Sequence, residues 1–432
     1  MTTYDMRLVV LASGERLHML RDAETGVPVF EPTIYSLTQL RSGGLASATI
    51  EQALRSVMVM LMIFNRGGID LDARLREGKL LEMGEVDTLA AECRRSMVWL
   101  KSRSDHTQRE TPRTKILSLE SARMKFRAKS DPKDQVSAET ACIRLFYIGD
   151  YLRWRLDSHL LKIGQRDPRF AGIQSIGTRT LSTLAARAPE GRGRNAEYQR
   201  EALSPEAREL LETVIGPSSD INPWKDAHVK ERNELMIRFL LELGVRAGEL
   251  LGITSRDLKT RSNEVFIARR ADNPDDPRAY QPLTKTRDRL LEMSDDLAEA
   301  TRKYLIGSRR AIKGARRHDY LFVASKTGAP LSYQSLAKSF ATLRKEHPGI
   351  LDFLSAHVLR HTWNDDYSER ADASGMSEEL EKKTRSRLMG WSPTSGTAET
   401  YTRRHTRRKA NEAMVSVQKK SLPKGTEGEN EN

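Results

Sequence analysis

The sequence has 432 residues, of which 38% are apolar and 30% are charged, enough for two or three globular domains with hydrophobic cores. It carries 72 Lys and Arg against 59 Asp and Glu, a formal charge of +13, with a pI near 9.6. This excess favours a polyanionic partner, nucleic acid ahead of a membrane surface, although a basic soluble protein without such a partner has a similar composition.

Secretion, membrane insertion and a cysteine-based scaffold are not expected. The N-terminus lacks a basic start and an apolar signal core, and the longest apolar run, 57–64, is too short to span a bilayer. Cys93 and Cys142 belong to no C-x-x-C pair, so we expect neither a zinc site nor a disulfide. The chain should therefore work in a reducing cytoplasm.

The first half of the chain predicts a small cap followed by a helical domain. Residues 1–45 contain a strand-like run at 6–11, and we interpret them as a structural cap of unclear role. Over 46–185, apolar residues recur at helical spacing in three stripes, which predicts a helical domain. The stripes are Ile50, Leu54, Val57, Leu61; Val86, Leu89, Ala90, Cys93, Met97, Leu100; and Ala141, Leu145, Ile148, Leu152, Leu156, Leu160.

A polar stretch interrupts these stripes. Residues 101–134 hold ten Lys and Arg against five acidic residues. The stretch is either a solvated loop or a contact to a DNA backbone, and the sequence does not separate the two. Residues 186–204 form the best candidate for an interdomain linker, because 188–195 contain one Pro, two Gly and several charges.

The second half predicts a mostly helical domain with a small sheet, over 205–420. Strand-like runs lie at 264–268 and 290–293, and 320–323 is a short apolar run. A polar tail at 421–432 is expected to be disordered.

Four side chains in this half can cleave a phosphodiester together. Arg246 and Arg360 are candidates to hold the non-bridging oxygens, because a guanidinium forms short paired bonds to phosphate and keeps its charge. His357 precedes Arg360 by three residues, which puts both on one face of a helix. Tyr401 can act as a nucleophile through its phenolate. Taken singly, each has a structural explanation, such as an ion pair from Arg246 to Glu249.

Five sequence motifs resemble the catalytic domain of tyrosine recombinases, the phage integrase family. Their order along the chain matches that family, and the resemblance covers about 235–405, close to half of the chain. They are R-x-x-E-L at Arg246–Leu250, a stretch at Phe322–Ser332 that resembles F-x-x-x-x-G-x-P-L-S with one more residue before the Gly, H-x-L-R-H-T at His357–Thr362, L-M-G-W at Leu388–Trp391, and Y-T at Tyr401–Thr402.

The resemblance implies roles for further residues. Lys285, in Thr284-Lys285-Thr286, corresponds to the family's catalytic lysine in a β-hairpin, with Arg287 as a competitor. Trp391 stands where the family commonly has histidine, and its indole N–H can still donate to phosphate. Glu249 and His361 are expected to support the site, and no cofactor, ATP or metal is expected.

The family also implies an architecture and partners. A helical core-binding domain and an α+β catalytic domain would grip duplex DNA at inverted repeats, and four protomers would exchange strands through a Holliday junction, with DNA-bending accessory proteins at some sites. We expect a protein of the cytoplasm and nucleoid that needs no membrane, encoded by a mobile element. The alternatives are a DNA-binding or architectural protein on the same fold, a telomere resolvase, or a type IB topoisomerase.

Overall fold

The computed structural model describes residues 3–106, 134–189, 202–282, 284, 286–392 and 395–421, and within them the side chains of 103–106, 400, 402–408, 412 and 419–421 are not described. The chain divides into two compact units, Met1–Tyr198 and Gln199–Asn432. Lys285, most of the polar stretch 101–134, most of the linker and the tail 422–432 lie outside the described residues.

The first unit consists of a β-hairpin followed by helices. Its strands are antiparallel, with Tyr4 opposite Asp22 and Val10 opposite Arg16. The elements are β1 (Tyr4–Val10), β2 (Arg16–Asp22), α1 (Phe30–Tyr35) continued by a π-helical turn (Ser36–Arg41), α2 (Ser47–Gly67), α3 (Leu71–Arg76), α4 (Met83–Glu92), α5 (Met97–His106), α6 (Ala138–Ile163) and α7 (Phe170–Ala186).

The predicted apolar stripes form the core of this unit. Ile50, Leu54 and Val57 are at most 1% exposed on α2, and they pack with the stripe of α6 around Ile148 and Leu152. By length and composition α2 is also apolar enough to cross a bilayer, but 67% of its apolar window is buried inside the unit. The core helix of a globular domain has the same properties, so α2 gives little support for a membrane span.

The second unit is mainly helical and holds a three-stranded antiparallel sheet in the order β3-β4-β5. Its elements are α8 (Pro205–Ile215), α9 (Ala227–Glu242), α10 (Ala247–Gly252), β3 (Leu258–Lys259), β4 (Glu264–Ile267), β5 (Arg289–Glu292), α11 (Asp295–Ile306), α12 (Ser308–Ala311), α13 (Tyr333–Glu346), α14 (Ala356–Ala373), α15 (Glu378–Met389) and α16 (Thr397–Ser421), with 3-10 turns at Ser255–Asp257 and Ala315–Arg317. The predicted fold class, mainly helical with a small sheet, is confirmed.

The two predicted strands pair with each other. Ile267 of β4 lies opposite Arg289 of β5, so β5 begins one residue before the run that the sequence indicates. Its residues alternate between buried and exposed, and Arg289 and Leu291 point inward. The apolar run 320–323 is buried, as expected. Packing of these elements brings the starts of α10 and β5 close to the end of α15.

Candidate active site

Arg246 lies at the start of α10, where a turn ends the preceding helix. Gly244 in this turn has φ +59°, and a Cβ there would lie 2.8 Å from the ring of Trp363, so the turn requires glycine. The Arg246 backbone N–H donates to Glu249 at 2.8 Å. Its side chain is 38% exposed, and its Nη1 is buried without a hydrogen-bond partner among the described residues. Such a donor on a half-exposed arginine suits an anionic ligand.

Arg360 is held deep in the unit by backbone oxygens. It lies on the first turns of α14, next to Leu359, which faces the core as the helical spacing predicts. Its guanidinium donates to the carbonyl of Gly244 and, at 3.3 Å, to that of Met389. Burial, and then the charge of Arg246, lower the pKa of Arg360 to about 9. Arg360 therefore stays a cation at neutral pH, in surroundings that strengthen its attraction for an anion.

Glu249 is the buried carboxylate between these arginines. Arg289 donates to its two oxygens at 3.0 and 2.8 Å, and the Thr286 hydroxyl donates to one of them. Burial raises the pKa of Glu249, but the hydrogen bonds and charge of Arg289, then the charge of Arg360, outweigh burial and leave the pKa below its ordinary value. Glu249 is thus a carboxylate that organises cations around it.

Two histidines form a pair beside Tyr401. His357 and His361 are one helical turn apart on α14, and their Nε2 atoms are 3.0 Å apart. The centres of their rings are separated by 4.3 Å, and the ring of His361 lies 5.3 Å from that of Tyr401. His361 thus contacts both His357 and the phenol ring. A proton can pass along such a series of side chains.

Trp391 and Tyr401 form a small buried cluster with Met389 and Ala398. Their rings stack with centres 5.4 Å apart and planes 13° apart, and Tyr401 is 8% exposed on α16. The guanidinium carbon of Arg360 lies 5.5 Å from the centre of the Trp391 ring. Trp391 Nε1 is buried and has no hydrogen-bond partner among the described residues. The indole can therefore donate to a ligand while its face supports the phenol.

The structure brings together Arg246, His357, Arg360, Trp391 and Tyr401, with Glu249 and His361 beside them. Lys285 lies outside the described residues, so its role stays a prediction. Within the described part of the chain, no group of three or more His, Cys, Asp or Glu side chains could hold a metal ion.

Sequence reasoning did not identify Arg289 and Thr286, whose side chains bind Glu249. A weak signal was available for Arg289. Arg289 is the first residue of β5, and every second residue counted from it, Arg289 and then Leu291, is buried.

Comparison with known proteins places this unit in a family. Residues 220–408 match the model of the phage integrase family. Transposase A from transposon Tn554 of Staphylococcus aureus is 32% identical over 148 residues, which cover 34% of this chain and 38% of that protein. Tyrosine recombinase XerD of Halalkalibacterium halodurans is 27% identical over 132 residues, 31% of this chain and 39% of that protein. The matched segment thus spans about two fifths of each relative.

Solved structures are similar at low identity. The Tn1549 transposon integrase in complex with circular intermediate DNA is 15% identical, covers 70% of this chain and 88% of that one, and gives a TM-score of 0.39. XerA recombinase is 16% identical, covers 77% and 94% of the two chains, and gives a TM-score of 0.33. On the family match and the sequence relatives, residues 220–408 of this chain form a domain of the phage integrase family, the family of tyrosine recombinases.

Proposed function

We propose that this chain is a site-specific DNA recombinase that cuts and rejoins DNA through a phosphotyrosine at Tyr401. The observation that carries the proposal is the pair of buried donors near Tyr401, Arg246 Nη1 and Trp391 Nε1, which lack hydrogen-bond partners among the described residues. An unpaired buried donor costs roughly 1–3 kcal/mol. A phosphate oxygen satisfies such donors, and the neighbouring guanidinium of Arg360 supplies further positive charge.

In the proposed reaction the Tyr401 oxygen attacks the scissile phosphorus. The bond from phosphorus to the 5′-oxygen breaks, which leaves a 3′-phosphotyrosine and a free 5′-hydroxyl. Arg246 and Arg360 bind the non-bridging oxygens as negative charge builds on them. The tyrosine proton passes to His361 and His357, and Lys285 donates a proton to the leaving oxygen. The covalent link conserves the energy of the broken bond, so that the reverse attack rejoins the DNA without ATP or a metal.

We propose double-stranded DNA with inverted repeats as the substrate and a homotetramer as the active assembly. Contacts of the helical unit and the catalytic unit with the DNA backbone would supply most of the affinity and make it sensitive to salt. Four protomers would exchange strands through a Holliday junction, with accessory DNA-bending proteins where the sites require them. The similarity to a transposase supports a mobile element as the source of the DNA, acted on in the cytoplasm at the nucleoid.

The C-terminal helix α16 offers a way to join protomers. Ala410, Ala413, Met414 and Val417 recur at helical spacing along it and are exposed, Met414 to 57% and Val417 to 63%. Lys409 pairs with Asp372 of α14 at 3.1 Å, just before this stripe begins. We propose that the stripe packs on a neighbouring protomer and couples its active site to the next one.

The function can be tested before the DNA site is known. The full chain is used to select duplexes from a random pool, and the selected repeat is rebuilt as a nicked suicide substrate, which loses its 5′-hydroxyl fragment on cleavage. The proposal predicts a covalent complex with one peptide linked to a 3′-phosphate. A repeat that is bound tightly but never becomes covalently linked would instead indicate a DNA-binding or architectural protein.

A further inference from the structure

Arg289 connects three elements of the active site, β5, α10 and the end of α15. Its side chain is 5% exposed, its Nη1 and Nη2 donate to the two oxygens of Glu249, and its Nε donates to the carbonyl of Leu388 at 2.5 Å. Each nitrogen of the guanidinium, including Nε, thus has a protein acceptor, whereas Arg246 Nη1 has none among the described residues, so Arg289 is a poorer candidate for a phosphate ligand than Arg246. The side chain instead connects β5 to α10 and to the end of α15.

Two other arginines, Arg246 and Arg360, lie beside Glu249, but their side chains make no hydrogen bond to it. Nη1 of Arg246 lies 3.8 Å from one carboxylate oxygen, and Nη1 of Arg360 lies 4.0 Å from the other. Both distances exceed that of a hydrogen bond. Arg289, the Thr286 hydroxyl and the Arg246 backbone N–H already occupy the carboxylate. Either guanidinium could move onto Glu249 if Arg289 were absent.

We propose that Arg289 is a positioning residue: it satisfies Glu249, so that Arg246 and Arg360 remain available to the scissile phosphate. This inference rests on the phosphoryl transfer proposed above. Three guanidiniums surround one carboxylate here, which leaves two positive charges for the DNA. A buried carboxylate without its partner is strongly unfavourable and draws in the nearest cation. Loss of Arg289 therefore diverts a catalytic arginine to Glu249.

Arg289 also fixes the turn that leads to Trp391. Gly390 has φ +66°, and a Cβ on it would lie 2.7 Å from Arg289 Nη1 and 2.9 Å from the Arg287 carbonyl oxygen. The Gly390 carbonyl accepts a hydrogen bond from the Arg287 N–H at 2.9 Å. The turn is thus packed directly on the start of β5, and Trp391, the next residue, takes its position from it.

The test compares two substrates and two variants. The substrates are the selected nicked duplex with a normal scissile phosphate and the same duplex with a methylphosphonate there, which lacks the negative charge that the arginines neutralise. Arg289→Met removes the fork but keeps its apolar stem, and the double variant Arg289→Met/Glu249→Gln also removes the carboxylate that would capture an arginine. Single-turnover cleavage, DNA affinity and the melting temperature are measured for each.

We expect Arg289→Met to bind DNA nearly as well as the wild type but to cleave the phosphate at least about 100-fold more slowly, a rate loss typical of a lost charged contact in a transition state. Cleavage of the methylphosphonate should slow far less. The cleavage rate of the phosphate divided by that of the methylphosphonate should therefore fall by at least about tenfold. The double variant should recover at least about tenfold in cleavage of the phosphate, because a neutral amide does not attract Arg246.

Arg309 provides a matched control, since it is 7% exposed and donates to the carbonyls of Ala315, His318 and Tyr320. Arg309→Met should lower the melting temperature and leave the ratio of the two rates unchanged. If Arg289→Met does not fold, Arg289→Lys replaces it. Lysine keeps the charge but cannot reach both oxygens of Glu249. Relative to the wild type, Arg289→Lys should therefore again lose more of its cleavage rate on the phosphate than on the methylphosphonate.

The outcomes separate this inference from the proposed function. A wild-type chain that forms no covalent complex refutes the function itself. An active wild type with a folded Arg289 variant that cleaves both substrates at wild-type rates refutes the positioning role. A folded double variant no faster than Arg289→Met also refutes it, because the capture of an arginine by Glu249 would then not explain the defect.

Discussion

The indole of Trp391 lies flat against the phenol of Tyr401, with ring centres 5.4 Å apart and planes 13° apart. Its Nε1 is buried with no hydrogen-bond partner among the described residues. In the proposed reaction this one side chain serves two purposes, since its face positions the nucleophile and its edge can donate to the phosphate. This pairing explains how tryptophan can stand where the family commonly has histidine.

Trp391→Phe separates these two purposes. Phenylalanine can keep the stack but has no N–H, so we expect a normal melting temperature and cleavage slower by about 10- to 100-fold, as expected for one hydrogen bond to a charged group. Trp391→Ala should also lower the melting temperature. Trp224, partly buried against the core of the same unit, supplies the control Trp224→Phe. Equal cleavage by Trp391→Phe and the wild type would exclude the indole as a phosphate ligand.

Arg246 allows a cleaner test of phosphate stabilisation than Arg360. Arg246 Nη1 makes no hydrogen bond to the described residues that would stabilise the fold. Arg246→Ala should therefore have a normal melting temperature and bind DNA almost as well as the wild type. Cleavage should slow by several orders of magnitude, where each ~1.4 kcal/mol of barrier is a factor of ten. Arg238→Ala, which removes an i,i+4 ion pair on α9, is the control. If DNA binding falls in parallel with cleavage, Arg246 is a binding residue.

Arg360 combines a proposed catalytic role with structural contacts, so its substitution needs two readouts. Arg360→Ala should abolish cleavage and also lower the melting temperature, because the carbonyls of Gly244 and Met389 lose their donor. Arg360→Lys keeps the charge and should restore stability better than activity. Recovery of full activity by lysine would show that a single positive charge, rather than the guanidinium fork, is required.

The sequence predicts the ligands of the proposed phosphate site better than the residues that support them. Arg246, His357, Arg360 and Tyr401 are recognisable by their motifs and order, and helical spacing correctly places Leu359 in the core. Arg289 carries no motif, and its importance follows from the register of β5, which aims its side chain at Glu249. Register depends on pairing with a strand far away in sequence, and a single sequence does not specify it.

The proposed roles of the two histidines show another limit. The motifs indicate His357 as the acid or base near Tyr401, which stays a prediction, and the structure adds that His361 contacts both the phenol ring and His357. Helical spacing places both on one face of α14, but the contact of His361 with Tyr401 depends on the packing of α16 on α14. Such packing arises between elements and is absent from local periodicity.

Lys285 is predicted to be the acid for the leaving 5′-oxygen. Replacing this oxygen by sulfur gives a leaving group that does not need a proton, so the modified duplex should rescue Lys285→Ala. It should not rescue Arg246→Ala, whose defect concerns the non-bridging oxygens. Rescue of Arg287→Ala, with Lys285→Ala unaffected, would assign the role to Arg287 instead.

The exposed stripe on α16 is predicted to join protomers. Removal of residues 409–432 should leave binding to a single site unchanged but abolish tetrameric complexes and complete recombination, measured by gel shift and by product formation. Met414→Asp should reproduce this loss, because a charge cannot be buried cheaply in an apolar interface. Val415, 47% exposed and off the stripe, gives the control Val415→Asp. Normal tetramers from the truncated chain would show that the helix has no role in assembly.

Tyr401 is proposed to become covalently bonded to DNA, and the direct measurement is mass spectrometry of the peptide linked to a nicked suicide duplex carrying the selected repeat. The wild type should yield a peptide in which Tyr401 carries a nucleotide joined through its 3′-phosphate. Tyr401→Phe should bind the same duplex and yield no adduct, while Tyr333→Phe, a 42% exposed tyrosine of the same unit, should react normally. An adduct of normal yield in Tyr401→Phe, or a linkage mapped to another residue, would contradict the claim.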